Sequence, residues 1–324
     1  MWKKLTYGFL SLFLVLVLVG VFAPVGTQPV VYFERYSHRL DTEKIAGEFW
    51  LRWLYGNPTG EMALEALVKR KFVSEWYGKQ MDKPSSAEKI KPFIKEFGID
   101  MSEVADTNFK TFNDFFTRKL KPSARPIDTS IIAVISPADG KVLAYQNISR
   151  SDFIIKGVRF NVYDFLQDSS LAKQFENAAM YIIRLCPTDY HRFHFPLSAE
   201  VLYHKKINGV YYSVSPIALR EKVKLMTQNK REYTVMRNRF AGKFIMAEVG
   251  ATMVGTIIQT YKDKVVCKGE EKGMFKFGGS TVVLLFRKGT VTIDKDLIDN
   301  TKSGYETAVK MGEHIGTLTK AKVP

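Results

Sequence analysis

The pattern of hydrophobic and polar positions changes texture twice along the chain. After a basic Lys3-Lys4 pair, residues Leu5 to Ala23 carry no charge. As a helix, about nineteen residues at 1.5 Å each span roughly 28 Å, close to the hydrocarbon core of a bilayer. A signal peptide is the competing reading. The apolar stretch is longer than a signal core, however, and Phe22-Ala23-Pro24-Val25-Gly26 is a poor cleavage site. The pattern therefore predicts a retained transmembrane anchor over 1–26. Lys3 and Lys4 favour a cytoplasmic amino terminus, but Arg35 and Arg39 follow on the other side and leave the orientation open.

Residues 27–110 read as a helical, membrane-proximal region. A helix over 45–55 ends at Gly56-Asn57-Pro58, and a second over 61–77 places Leu64, Leu67, Val68, Phe72 and Trp76 along one face. That face either packs on the core or lies on anionic lipid, aromatic side down, with Lys69, Arg70 and Lys71 among the headgroups. Pro84-Ser85-Ser86 starts another short helix within a polar stretch.

From about residue 111 the texture becomes short apolar or alternating runs cut by Gly, Pro, Asn and Asp. Strands are predicted over 131–136, 141–147, 179–186, 199–206, 209–214, 231–237, 243–249, 252–260, 263–268 and 281–286. The expected fold class is α+β: a membrane helix and amphipathic helices, then a β-rich, mostly antiparallel catalytic body over 111–324.

Charge narrows the class of partner. With 48 Lys+Arg against 33 Asp+Glu, the formal net charge is +15, which suits nucleic acid or an acidic lipid surface. No zinc-finger, helix-turn-helix or aromatic-basic motif supports nucleic acid, whereas the apolar start supports lipid. Cys186 and Cys267 lack metal-ligand spacing, and Cys186 sits in an apolar run as an inert strand residue.

Three segments could carry chemistry. Phe277-Gly278-Gly279-Ser280-Thr281 runs into Val282-Val283-Leu284-Leu285-Phe286, a flexible corner before a buried strand. Glycine at 279 would let the peptide before Ser280 bend so that the hydroxyl reaches the preceding carbonyl. Asp189-Tyr190-His191-Arg192-Phe193-His194-Phe195-Pro196 holds two histidines three apart. A helical turn would place both rings on one side; a strand would split them. With one nearby carboxylate and no third ligand, a metal site is not expected, and an imidazole acting as general base or acid is. Ser136-Pro137-Ala138-Asp139-Gly140 reads as a hairpin turn, or as the place where a carboxylate orients a histidine ring.

Taken together and in order, these segments resemble the phosphatidylserine decarboxylase family, pyruvoyl-dependent enzymes that process themselves. The likeness runs through Phe112–Arg118, Ala124–Asp128, Ser136–Gly140, Asp189–Pro196, Gly209–Pro216, Asn229–Glu232, Glu248–Gly255, Lys268–Gly273 and Phe277–Thr281, with Ser215 where many relatives carry Asn. The Gly-Gly-Ser-Thr form resembles one branch of the family. The resemblance implies that Ser280 attacks the Gly279 carbonyl, with His194 as base and Asp139 orienting it. Cleavage between 279 and 280 would then convert Ser280 into a covalent pyruvoyl group. His191 is implied in the lipid reaction, in which a Schiff base with the ketone lets phosphatidylserine lose CO2 to give phosphatidylethanolamine. Also implied are two chains from one precursor, a homodimer and attachment to the cell membrane. A membrane-anchored serine hydrolase using Ser280, His194 and Asp139 is the alternative.

Overall fold

The computed structural model of the protein describes residues 28–148, 154, 155, 158–215, 217, 218, 225–251 and 256–319, with Gly8 and Ser11 as isolated positions before them. No helix among these residues is long and apolar enough to cross a membrane, and the anchor expected over 1–26 lies outside them apart from those two positions.

A ten-stranded sheet organises the body. Its spatial order is Val265–Val266, Ala199–Ile207, Arg231–Asn238, Gly242–Gly250, Ser280–Phe286, Ala179–Leu185, Gly140–Tyr145, Glu306–Val309, Val31–Glu34, Arg39–Thr42. Every adjacent pair is antiparallel except Val31–Glu34 with Glu306–Val309. The Ser280–Phe286 strand is central, and both of its faces are covered. Val282, Leu284 and Phe286 enter one core while Val283 and Leu285 enter the other. That is why the sequence there is apolar throughout and does not alternate. Each such side chain contributes about 1.5–3 kcal/mol on burial.

Two three-stranded sheets bring the reactive segments to this strand. One pairs Ile257–Gln259, Glu271–Phe275 and Arg192–His194; the other pairs Val291–Ile293, His314–Leu318 and Ala133–Ile135. Ser136–Gly140 is therefore not a hairpin turn, because Ala133–Ile135 and Gly140–Tyr145 belong to different sheets. Gly140 is required at the crossing, since a Cβ there would stand 2.5 Å from the Arg184 carbonyl oxygen.

Several expected elements differ. No strand forms over 209–214, where an isolated bridge joins Val210 to Asn229. The Tyr212 and Ser213 amides are taken instead by the Asn229 side chain and the Tyr55 hydroxyl, at 2.9 and 2.7 Å. The helix expected over 61–77 begins earlier, at Pro58, where Asn57 caps it. It passes through a π-helical turn over Leu64–Val68 and breaks at Arg70, before the Lys71–Met81 helix. Its apolar residues consequently split: Leu64 turns into the core, while Leu67, Phe72 and Trp76 are exposed at 56, 62 and 62%. The Val31–Glu34 and Arg39–Thr42 hairpin adds strands to a region that reads as helical.

Candidate active site

Ser280 opens the central strand, opposite Gly250 on one side and Leu185 on the other. It is fully buried, and its Oγ has no hydrogen-bond partner. A buried hydroxyl left unpaired costs about 1–3 kcal/mol, so this is a reactive group held at a price in stability. The amides before it are fixed one after another. Phe275 N donates to the His191 carbonyl at 2.9 Å, Lys276 N to Thr256 O at 3.2 Å, and Phe277 N to Asn113 Oδ1 at 2.9 Å. The glycine-only conformation then falls on Gly278, with φ 132°, and not on Gly279 as expected. A Cβ at 279 would press on Val214 Cγ2 at 3.3 Å.

The histidine segment is a strand, so its two rings diverge. His191 Nδ1 donates to the Asp189 carbonyl at 2.9 Å, which leaves the lone pair on Nε2. That atom is buried and makes no well-formed hydrogen bond, although the Gly278 backbone lies close enough to favour its protonated form. Burial outweighs that influence and pushes the imidazole down to about 4, leaving His191 neutral at physiological pH. One face of the ring lies on Phe116, at 3.9 Å between centroids.

His194 is engaged at both nitrogens. Nδ1 donates to the Gly269 carbonyl at 2.9 Å, and Nε2 meets the Tyr190 hydroxyl at 3.1 Å. Burial lowers its pKa as well, which makes Nε2 the acceptor of the tyrosine proton. The turn bearing Asp139 touches this strand, with His194 N donating to Pro137 O at 2.7 Å. The Asp139 carboxylate, however, faces Arg125 and the Met311 amide. The Asp139 turn and the His194 strand thus adjoin, and no hydrogen-bonded relay joins Asp139, His194 and Ser280 among the described residues.

Tyr190, Arg125 and Asn113 are site neighbours to which sequence reasoning assigns no role. The ordered Asp189–Pro196, Ala124–Asp128 and Phe112–Arg118 segments, which hold them in turn, were their available signal. Among the described residues no three His, Cys, Asp or Glu side chains come together as a metal site. Cys186 is buried among Arg184, Lys141 and Glu43, and burial pushes its thiol up, so it stays protonated and inert.

Two cavities flank the site. One of about 330 Å³ lies behind Asp139, lined by Arg118, Arg125, Lys141, Asp189 and Tyr190 among others. The other, about 340 Å³, opens between the Lys71–Met81 helix and the scissile segment, beside Ser74, Lys79, Thr256, Lys276 and Phe277.

Comparison with known proteins gives the family. Residues 112–317 match the family model described as phosphatidylserine decarboxylase. The chain is 50% identical over 293 residues to a phosphatidylserine decarboxylase proenzyme of Fusobacterium nucleatum subsp. nucleatum, covering 89% of this chain and 98% of that one. It is 49% identical over 291 residues to a proenzyme of the same name from Clostridium botulinum strain Hall, covering 89% and 99%. A third, from Clostridium perfringens strain SM101, is 48% identical over 289 residues, covering 88% and 98%. A family match that spans both histidines, Asp139 and Ser280, with likeness across nearly the whole length of these relatives, places this chain in the phosphatidylserine decarboxylase family.

Proposed function

We propose that the protein is a self-processing carboxy-lyase that converts phosphatidylserine to phosphatidylethanolamine and CO2. The observation that carries this reading is the buried, unpartnered Ser280 hydroxyl after two glycines, at the head of a strand locked between two neighbours. Ser280 Oγ attacks the Gly279 carbonyl carbon, and an ester replaces the amide. Loss of the Ser280 α-proton with departure of the Gly279 carboxylate leaves residues 1–279 and a new terminus at 280. Water then displaces ammonia from that terminus to give the pyruvoyl ketone.

The residues present fit this group. It would form in place at Ser280, walled by the Gly250 and Leu185 positions of the flanking strands. Once formed, it supplies an electron sink that no unmodified side chain offers.

His194 is assigned as the base for cleavage and Asp139 as its support. Since Tyr190 holds His194 Nε2 here, that role requires the ring to exchange Tyr190 for Ser280. A second reading makes His191 the cleavage base, because its bare Nε2 lies by the Gly278 backbone. In turnover, His191 is assigned to reprotonating the carbon that loses CO2, a role in which its buried ring must gain a proton when substrate is bound. Cleavage slowed by His194→Ala and spared by His191→Ala supports the first assignment; the reverse supports the second.

Domains follow as an anchor over 1–26, a membrane-proximal region over 27–110 and the catalytic body beyond. The protein is membrane-attached, a reading supported by exposed Phe49, Trp50, Leu67, Phe72 and Trp76, with Arg70 and Lys71 falling between Leu67 and Phe72. The cavity lined by Glu75, Lys79, Asp82 and Lys276, both charges present, gives a zwitterionic lipid headgroup a way to the scissile segment. Neither nucleic acid nor a metal is invoked. The homodimer implied by resemblance is checked by sedimentation in detergent. The hydrolase alternative has no formed relay behind it, and the curated relatives carry the decarboxylase name.

Intact-mass analysis of wild type beside Ser280→Ala, followed by assay on phosphatidylserine vesicles, tests the proposal. Two wild-type chains, phosphatidylethanolamine as product and one uncut variant chain are expected. A cut Ser280→Ala chain would overturn it.

A further inference from the structure

The short Phe112–Phe116 helix, with Thr117 and Arg118 after it, touches both partners of the proposed cleavage. Its start is fixed by a capping box, in which Thr111 and Asp114 exchange side-chain and backbone hydrogen bonds. From that fixed start, Asn113 projects toward the scissile segment and is almost fully buried. Its Oδ1 accepts the Phe277 amide at 2.9 Å, while its Nδ2 donates to Asp82 Oδ1 at 2.9 Å. Asp82 therefore fixes which way the amide of Asn113 points. The rings of Phe112 and Phe116 each stand 5.0 Å from Phe277.

The other end of the same element grips the histidine segment. Arg118 Nη2 donates to the carbonyls of Thr188 and Asp189, at 3.0 and 3.4 Å. The second of these is the carbonyl that takes the Nδ1 proton of His191. Arg192 Nε returns a bond to Thr117 O at 2.9 Å, and Phe116 backs the His191 ring. Arg118 is buried with Nε and Nη1 unpartnered, an arrangement that stability alone does not favour.

We propose that Asn113 and Arg118 are positioning residues for self-cleavage: Asn113 sets the register of the scissile segment, and Arg118 sets the orientation of His191 against it. The inference rests on cleavage at Gly279–Ser280. An intramolecular attack is fast only when the reacting atoms are held close to attack geometry, and a displacement of about 1 Å costs on the order of a hundredfold. The distance from Phe277 to the scissile bond is two residues, so among the described residues the Asn113 bond is the nearest side-chain hydrogen bond on the amino side.

The test exchanges the two hydrogen-bonding groups. Asn113→Asp keeps an acceptor for Phe277 N but turns a carboxylate oxygen toward the Asp82 carboxylate. Asp82→Asn alone costs only the half-exposed Lys276 pair, worth little. The double variant Asn113→Asp/Asp82→Asn restores a donor opposite an acceptor. Conversion of the full-length precursor to two chains is timed by intact mass, and thermal unfolding is measured on each variant in a Ser280→Ala background. Expected are a slowing of about tenfold or more for Asn113→Asp, near wild-type conversion for Asp82→Asn, and recovery to within about threefold in the double variant. Arg118→Met should slow conversion similarly, and Arg118→Lys, which keeps a donor for the same carbonyls, should recover most of it. Wild-type conversion by both Asn113→Asp and Arg118→Met would overturn the inference, as would a double variant no faster than Asn113→Asp. Cleavage of the Ser280→Ala control would instead overturn the cleavage site itself.

Discussion

Asp139 gives its carboxylate to Arg125, not to His194. Arg125 Nε lies 2.8 and 3.0 Å from the two oxygens and Nη2 2.6 Å from one of them, with Met311 N at 2.8 Å completing the shell. Arg125 also reaches Glu103 at 2.9 Å. The carboxylate thus ties together segments on both sides of the proposed cut.

Replacing Asp139 by Asn should therefore destabilise the fold independently of any effect on processing. It leaves the buried guanidinium with Glu103 as its remaining counter-charge, a loss on the order of 1.5–3 kcal/mol for the charged hydrogen bonds given up. Urea unfolding in the Ser280→Ala background checks this, with His194→Ala expected to cost clearly less. Equal stability of Asp139→Asn and its parent would show that the Arg125 pair contributes nothing.

Acid should weaken the protein through its histidines before its carboxylates matter. His191 titrates near 6.5 when unfolded and at about 4 in the fold, lowered by burial. Between those values the unfolded chain binds the extra proton, so stability rises with pH across the window. The contribution is complete above pH 6.5 and is lost as pH falls toward 4, amounting to about 3 kcal/mol. His194 is shifted in the same direction by burial. The slope of unfolding free energy over pH 4 to 6.5 should flatten in His191→Gln, and an unchanged slope would rule out the assignment.

Lys272 and Glu248 form an ion pair at 2.9 Å, both wholly buried, with Gln259 bonded to each. Burial drives the lysine pKa down and the glutamate pKa up. Lys272→Ala should cost about 3–5 kcal/mol, because it leaves a buried carboxylate alone. Lys272→Met with Glu248→Gln should recover most of that in chemical denaturation, since both charges are then gone.

The exposed aromatic residues of the Lys71–Met81 helix should matter for lipid and not for folding. Phe72→Ser with Trp76→Ser removes side chains that are mostly solvent-exposed here. Affinity for anionic vesicles should fall about tenfold or more, given about 1.5–3 kcal/mol for each large apolar side chain buried. The unfolding temperature should hardly move. Sedimentation with vesicles at two salt concentrations measures both the apolar and the charge contributions.

The sequence made the β-rich body legible wherever a strand was a continuous apolar run. Ala179–Leu185 and Ser280–Phe286 fall within a residue of expectation. Strands with mixed composition, such as Glu271–Phe275 and Arg39–Thr42, carried no such signal. Arg39–Thr42 is an exposed edge strand paired only with Val31–Glu34, and Glu271–Phe275 takes one of its two partners from Arg192–His194, far along the chain; local composition reports neither. The break before Lys71 was hidden similarly: a π-turn rotates the following helix without any proline or glycine to announce it.

By itself the sequence determined the chemistry available: a serine after two glycines, two histidines three apart, a carboxylate in a tight turn, and ordered segments shared with one family. Those are matters of residue identity and spacing. Only the tertiary structure decided which groups are free. Tyr190 and the Gly269 carbonyl engage His194, Arg125 and the Met311 amide engage Asp139, and His191 Nε2 and Ser280 Oγ are buried without a well-formed hydrogen bond. Availability depends on what packs around an atom, and packing is set by contacts between residues far apart in the chain.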